Sequence, residues 1–395
     1  MKWLYIGVLC LLKATHQISH IALATKDQVL RTTALSQSSI SSNMAATGVV
    51  KAGYWHCDSA FPVSDIKSSL FTHLFAAFAD VNSSYQVTFP ILYKLQFESF
   101  TQTVQIKNPD VKTLLSIGGG ASGVASTLAS MASKQENRKI FIGSSITLAR
   151  ENNFHGLCLS WLYPSTAVEM TNLESLLKEW RAAVEIEAQI TTKARLLLTA
   201  EVFYSSAIGS ASYPCKTISN TLDWINVLAF NFYTPDSSPT ETAPPDALRK
   251  GPKGILCVET SIKSWIDAGL KVKKIALCVP FVGWAWTLKN PLQHDLFAPA
   301  VGPALSVDGS VTFAQVKLFI TVRKAKRVYD KTYCTNYCYA DVTWIGYDDL
   351  ESVTDKVNYA HKEKQLLGYF AWHVGADYNW SLSQKAFDTW DKCAN

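Results

Sequence analysis

Residues 154–164, FHGLCLSWLYP, bring close together several side chains that could take part in a reaction. Large apolar residues occupy positions 157, 159 and 161, whereas Cys158, Ser160 and Leu162 fill the alternate positions. A period of two predicts a β-strand whose alternate residues share one face. His155 and Cys158 are three residues apart and would point to opposite faces, which argues against a Cys–His nucleophilic pair. The serine lies outside any Gly-x-Ser-x-Gly elbow.

The nearest carboxylate on the next predicted strand is Glu201, within the run TAEVF at 199–203. Two interpretations are open for it. A hydrogen-bonded or solvated glutamate at the end of a strand is favoured, because most strand-end carboxylates are structural. A relocated general acid is the alternative.

The elements that would position these residues are short apolar runs separated by segments of helical period. Such an alternation predicts parallel strands joined by right-handed helical crossovers, and eight of them predict an α/β fold, the (β/α)8 TIM barrel. The stretch between the seventh and eighth runs is roughly 85 residues, too long for a loop and a helix, and predicts a small α+β insertion domain at 285–347. The runs lie at 52–55, 71–79, 111–119, 154–161, 194–203, 222–232, 274–281 and 366–372.

Several longer segments together are typical of one family. They include GYW at 53–55, KTLLSIGGG at 112–120, TWIGYDD at 343–349 and WHVGAD at 372–377. On these residues the chain from about Lys51 onward resembles the plant class V chitinases of glycoside hydrolase family 18. The resemblance implies a barrel with an α+β insertion, a cleft for N-acetylglucosamine oligomers and substrate-assisted retaining hydrolysis.

The family carries its acids on the fourth strand as Asp-Gly-x-Asp-x-Asp-x-Glu, and this chain departs from that pattern. His155, Cys158, Ser160 and Leu162 stand at the four acidic positions, although the glycine at 156 remains. Leucine has no proton to donate to the leaving oxygen. Serine lacks the charge that would stabilise an oxazolinium-like intermediate. The resemblance therefore implies a family member without its catalytic acids.

The sixth strand departs in the same way. The family's Met-x-Tyr-Asp corresponds here to residues 228–231, so that Phe230 replaces the tyrosine and Asn231 the aspartate. Phe230 has no hydroxyl for the acetamido carbonyl, and Asn231 keeps the shape of aspartate without its charge.

Aromatic residues at strand ends are the candidate sugar-binding residues, since sugar rings bind on flat apolar faces. Trp372 matches the tryptophan that forms the floor of the family's reacting subsite. Gly118–Gly120 are expected to permit a close backbone approach. The other candidates for lining the cleft are Tyr54, Phe75, Tyr163, Tyr204, Tyr233, Trp284 and Trp286.

Composition predicts a globular protein, and the N-terminal segment predicts export. The chain is 48% hydrophobic, and its net charge of +5 includes no basic run with interleaved aromatics, so nucleic-acid binding is not indicated. An apolar run at 3–12 and the small residues Ala22 and Ala24 predict a signal peptide at 1–24, followed by a flexible leader at 25–50 and the barrel at 51–395. No later run is long enough to span a membrane. Scattered cysteines suggest neither a metal site nor a cofactor.

The leading hypothesis is a secreted chitinase-like protein of the apoplast or vacuole that binds N-acetylglucosamine oligomers or N-glycans without cutting them. A protein-binding scaffold or inhibitor with a vestigial cleft is the alternative. A residual glycosidase with a relocated acid ranks lowest. The sequence does not specify the ligand or the oligomeric state.

Overall fold

The computed structural model describes residues 48–394, and the predicted signal peptide and most of the predicted leader lie outside this range. The first strand begins at Val50, so the barrel starts within the last residues assigned to the leader. None of the helices in the described part is long and apolar enough to cross a membrane.

Strands and helices alternate along most of the chain. The strands are β1 (Val50–His56), β2 (His73–Val81), β3 (Val87–Thr88), β4 (Lys112–Gly118), β5 (Gly156–Ser160), β6 (Leu197–Phe203), β7 (Ala207–Ile208), β8 (Ala211–Ser212), β9 (Trp224–Leu228), β10 (Ile275–Pro280), β11 (Val282–Leu288), β12 (Ala300–Pro303), β13 (Ser310–Thr312), β14 (Lys326–Asp330), β15 (Thr335–Ala340), β16 (Thr343–Tyr347) and β17 (Gly368–Trp372). The α-helices are α1 (Lys94–Gln105), α2 (Val124–Ser133), α3 (Gln135–Glu151), α4 (Ala167–Thr191), α5 (Cys215–Thr221), α6 (Val258–Asp267), α7 (Phe313–Arg323), α8 (Leu350–Asn358) and α9 (Ser381–Ala394).

Eight parallel strands close into a barrel, in the order β1-β17-β10-β9-β6-β5-β4-β2, with β2 returning to β1. The predicted (β/α)8 TIM barrel is therefore confirmed. Helices occupy most of the crossovers, because a parallel connection must carry the chain back to the opposite end of the sheet. β3 adds an antiparallel pairing to the far end of β2.

Strand alternation divides the apolar residues into two layers. Leu157, Leu159 and Trp161 pack in the larger cluster between the strands and the helices. Cys158 belongs to a second cluster in the barrel interior, and Leu162 packs against that cluster. The two sets of alternate residues therefore lie on opposite faces of the strand, as the period of two predicts.

The long segment between β10 and β17 forms a second sheet, with the order β12-β11-β16-β15-β14 and β13 paired to β11. Its strands run from Val282 to Tyr347, and so begin three residues before the predicted boundary at 285. Helix α7 starts at a capping box in which the Thr312 side chain accepts a hydrogen bond from the Gln315 N–H. The segment has the α+β character that its length and turns predict.

A buried ion pair lies where the second sheet leads back into the barrel. Lys356 Nζ on α8 donates to Asp348 Oδ2 just after β16, and both side chains are fully buried. Asp246, in the segment between β9 and α6, is also buried, and burial raises its pKa to about 7. The Lys356 ammonium opposes this rise in the pKa of Asp246, and it also favours the ionised form of Asp348. One buried cation therefore stabilises two buried carboxyl groups.

Replacing the cation alone should destabilise the fold strongly. Lys356→Met leaves Asp348 buried without a partner, which costs about 3–5 kcal/mol of unfolding free energy. Urea unfolding monitored by tryptophan fluorescence measures this loss. The double variant Lys356→Met/Asp348→Asn removes the orphaned charge and should recover much of the stability. Equal stability of the single and double variants would contradict this role.

Candidate functional site

The strand carrying the predicted site, β5, lies between β4 and β6 with Cys158 paired to Ser116 on one side and Thr199 on the other. Cys158 and Ser160 are fully buried. Leu162 follows the strand and is partly buried against the interior cluster. Cys158, Ser160 and Leu162, three of the four positions at which the resemblance places acids, therefore face the barrel interior toward its carboxyl end.

Glu201 on β6 is the carboxylate nearest to these positions. Its Oε2 accepts a hydrogen bond of 2.7 Å from Ser160 Oγ, and its Oε1 accepts one of 3.2 Å from Ser116 Oγ. Only 3% of the residue is exposed. Burial raises its pKa to about 7, although hydrogen bonds from Ser160, Tyr54 and Ser116 oppose the rise. Of the two forms that the sequence favours, hydrogen-bonded or solvated, Glu201 therefore has the hydrogen-bonded one.

A chain of polar groups extends beneath Glu201 into the barrel. Asn226 Nδ2 donates to the Tyr54 hydroxyl over 2.6 Å, and Trp224 Nε1 donates to Asn226 Oδ1 over 2.9 Å. The Tyr54 hydroxyl lies 3.6 Å from Cys158 Sγ. Burial raises the pKa of Cys158 to about 12, so its thiol stays protonated and is a weak nucleophile.

His155 lies at the other end of β5 from Leu162, at the amino-terminal mouth of the barrel. Its Nδ1 accepts a hydrogen bond of 3.1 Å from the Thr113 N–H. Cys158 instead faces the interior with Tyr54. This placement agrees with the argument from strand geometry against a Cys–His pair.

The loop after β9 brings Phe230 and Asn231 to the carboxyl end of the barrel. Asn231 has a φ of 55°, a left-handed conformation that asparagine tolerates better than most residues. Its Oδ1 accepts a hydrogen bond of 2.7 Å from Trp284 Nε1, and its N–H donates to Asp246 Oδ1 over 2.8 Å. Trp284 lies on β11, so the second sheet holds the Asn231 side chain in place at the edge of the barrel mouth.

Trp372 is the centre of an aromatic group at the same end. It is partly exposed, and its ring lies 5.2 Å from Tyr54, 6.0 Å from Phe78 and 6.2 Å from Phe230, measured between centroids. Tyr54 in turn stacks on Phe75 at 4.3 Å with nearly parallel planes. A flat, partly exposed ring therefore rests on a rigid, layered base.

Three of the predicted lining residues do not offer a face to a ligand. Tyr54 and Phe75 are fully buried because they fill the barrel interior beneath Trp372. Trp286 is also fully buried, packing edge-on against Trp344 and donating from Nε1 to the Ser238 carbonyl oxygen. The structure places these side chains in packing roles, and their assignment as contact residues is wrong.

The remaining aromatic candidates keep accessible surface. Tyr163 is 52% exposed and packs edge-to-face on Phe203 at 5.3 Å. Tyr204 and Tyr233 are partly exposed, and the Tyr233 hydroxyl accepts a hydrogen bond from the Leu256 N–H. These side chains stay candidates for contact with a ligand.

Phe78 is an interior aromatic that the sequence pattern does not identify. Phe75 and Ala77 point inward, so strict alternation would direct the side chain at 78 outward. The register between β2 and β4 shifts between Ala76 and Ala79, and this irregularity turns Phe78 toward Trp372. A bulge of this kind leaves no clear signal in a single sequence.

The glycines after β4 allow the close approach expected of them. A Cβ on Gly118 would lie 2.5 Å from the Ser160 carbonyl oxygen, and one on Gly119 would lie 2.6 Å from the Phe78 ring. The Gly119 N–H donates to that same carbonyl oxygen over 2.8 Å. Gly120 has room for a side chain.

Glu201 should make the stability of the protein depend on pH. Its pKa is raised on folding, so between pH 4.5 and about 7 the folded state holds a proton that the unfolded state has released. Unfolding free energy should therefore fall across this window by up to about 3 kcal/mol. Glu201→Gln removes this contribution, and urea titrations at pH 5 and pH 8 measure the difference.

The variant Glu98→Gln on the exposed face of α1 is the matched control, because it makes the same chemical change away from the interior. The stability difference between Glu201→Gln and the wild type should grow in favour of the variant as pH rises. A difference that is the same at both pH values would contradict a protonated, buried Glu201.

Comparisons with known proteins place this geometry among characterised folds. The model for "Glycosyl hydrolases family 18" matches residues 49–377. A class V chitinase of Arabidopsis thaliana is 51% identical over 354 residues, which cover 88% of this chain and 91% of that protein.

Two solved structures are similar over nearly their whole length. A class V chitinase mutant from Nicotiana tobaccum, in complex with NAG4, is 45% identical, with a TM-score of 0.84 and coverage of 87% of this chain and 99% of that one. The chitinase-like agglutinin RobpsCRA from Robinia pseudoacacia is also 45% identical, with a TM-score of 0.81 and coverage of 86% and 99%.

Proposed function

The chain belongs to glycosyl hydrolase family 18, and from this premise we propose that it binds N-acetylglucosamine oligomers or N-glycans in the barrel cleft without hydrolysing them. The observation that carries the proposal is Leu162 at the position of the general acid, just after β5, with His155, Cys158 and Ser160 at the other three acidic positions.

The loss of the acids removes the chemical step rather than the site. A positioned general acid contributes about 10²–10⁴-fold to rate, equivalent to about 3–6 kcal/mol of barrier. Phe230 has no hydroxyl to hold an acetamido carbonyl, and Asn231 Oδ1 already accepts a hydrogen bond from Trp284. The groups left at the barrel mouth are suited to contact and orientation.

The aromatic group supports retention of binding. Trp372 is partly exposed over Tyr54, Phe78 and Phe230, so its ring is fixed before a ligand arrives. Preorganisation reduces the entropy lost on binding. The tobacco chitinase mutant is in complex with NAG4 on a similar barrel, and the Robinia protein is a chitinase-like agglutinin, so both oligomer binding and a lectin role have parallels among similar proteins.

Export remains part of the proposal. The N-terminal segment at 1–24 has the pattern of a signal peptide, which would direct the protein to the apoplast or vacuole. Glycans of that compartment would then be its ligands.

The environment of Glu201 favours a second candidate function, that of a slow glycosidase with a relocated general acid. Its carboxyl group hydrogen-bonds to Ser160, and its pKa of about 7 keeps a large share of the groups protonated near neutral pH. A proton donor needs these properties. Its 3% exposure opposes the idea, because the acid must reach the leaving oxygen of a bound sugar.

Chitotetraose should bind the purified protein, and Trp372→Ala should weaken the affinity by about tenfold, or ~1.4 kcal/mol, because the exposed ring face is lost. Isothermal titration calorimetry measures both affinities. Trp380→Ala is the matched control, since this tryptophan packs against Phe61 and Phe71 outside the barrel interior. Absence of binding to chitooligosaccharides and to a glycan array at millimolar ligand would favour the protein-binding scaffold instead.

The wild-type protein should leave chitotetraose and longer oligomers intact under conditions in which an active class V chitinase cleaves them completely. Chromatography of the products tests this directly. Cleavage by the wild type that disappears in Glu201→Gln, with oligomer affinity retained, would establish the relocated acid and overturn the proposal of binding without hydrolysis.

A further inference from the structure

A basic cavity lies at the amino-terminal mouth of the barrel, at the end opposite Trp372. Its volume is about 540 Å³, and its lining includes the cationic side chains Lys112, Arg150, Lys193 and Arg195. No aspartate or glutamate belongs to its lining in the part of the chain that the structure describes. We propose that this cavity binds a small oxyanion, a phosphate, sulfate or sugar carboxylate.

The barrel register brings these cations together. Leu114, Gly156 and Leu197 are paired across β4, β5 and β6. Lys112 and Arg195 each lie two residues before their paired positions, so they flank the start of β5 at the same level. Strands in a sheet are about 4.8 Å apart, which puts the two backbones roughly 10 Å from each other. Side chains of this length can therefore meet one anion between them.

Carboxylates behind the cavity hold the two arginines in place. Arg150 Nε and Nη2 donate to the two carboxylate oxygens of Glu187 over 2.9 and 2.5 Å. Arg195 Nη1 and Nη2 donate to Asp223 over 3.3 and 2.8 Å. Fixed guanidinium groups lose little freedom when they bind an anion.

Both arginines keep nitrogen atoms for a further partner. Arg150 Nη1 and Arg195 Nε make no hydrogen bond within residues 48–394. Asp223 must also serve Arg181, whose Nη2 lies 2.9 Å from it. One carboxylate thus pairs with two guanidinium groups.

The two lysines add further positive charge, although Lys193 lies near enough to Glu187 to help Arg150 lower the pKa of that carboxyl group. Lys112 and Lys193 are exposed and form no ion pair with any residue the structure describes. On the cavity wall, burial lowers the pKa of His155 to about 4, and the charges of Lys112 and Arg150 add to that effect. Residues at the amino-terminal end of a barrel normally contribute to stability, whereas a cluster of like charges destabilises the folded state through repulsion. A bound anion would remove that repulsion.

The shape and lining indicate the size of the ligand. A volume of about 540 Å³ lies within the range of small-molecule sites. Phe154, Ala194 and Leu197 add apolar surface beside the cations, and Gln105 and Asn153 add amide groups. An oxyanion carried on a monosaccharide-sized ring would match both kinds of surface.

Calorimetric titration of the full-length protein with inorganic phosphate, sodium sulfate and galacturonate, at ionic strength held constant with chloride, tests the proposal. At least one of them should bind saturably, and Lys112→Gln/Lys193→Gln should weaken that binding by at least about tenfold. Binding of phosphate or sulfate alone would assign a free or esterified inorganic oxyanion, and binding of galacturonate alone would assign a sugar acid.

Thermal unfolding provides a second readout that a misfolded variant could not mimic. Without anion, the double variant should melt at the wild-type temperature or above it, since repulsion is removed. With anion, only the wild type and the control Lys139→Gln, which removes a lysine lining a different cavity, should gain stability. No saturable binding by the wild type, or equal binding by the double variant, would overturn the proposal. Chitotetraose affinity is independent of this outcome.

Discussion

The closure of the barrel is the constraint on which the rest of the structure depends. Because β1 pairs with both β17 and β2, every inward side chain of the eight strands must share one enclosed interior. A polar group placed there needs a hydrogen-bond partner inside the barrel, since water has little access. The interior is therefore where replacement of the family's acids has to be accommodated by neighbouring residues.

Ser160 and Glu201 show how this accommodation works. The serine is smaller than the aspartate expected by resemblance, and the Glu201 carboxyl group from the next strand lies against its hydroxyl. Ser116, Tyr54 and Asn226 continue the polar contacts, whereas Leu162 and Phe230 cover the mouth with apolar surface. The result is a satisfied polar layer beneath a mainly aromatic floor. Such an arrangement supports the proposal that the site holds a ligand without protonating it.

Much of the fold follows from the sequence, because strand period and run spacing are set by backbone geometry. The inward direction of Cys158 and Ser160 and the long excursion after β10 are both predictable in this way. Side-chain accessibility is less predictable, since Tyr54 and Phe75 are expected to line the cleft but lie in the barrel interior, at a depth that only packing determines. Phe78 depends on a register shift, and the partners of Glu201 depend on which strands become neighbours.

The hydrogen bond between Ser160 and Glu201 also has an evolutionary consequence. Restoring an aspartate at 160 while Glu201 remains would place two carboxyl groups within hydrogen-bond distance in a buried interior, where they could not both ionise. An aspartate at 160 would then be poorly tolerated as long as Glu201 is present. The two positions are therefore epistatic: the order in which they can change is constrained, and an acidic residue at 160 on β5 requires a prior change at 201 on β6.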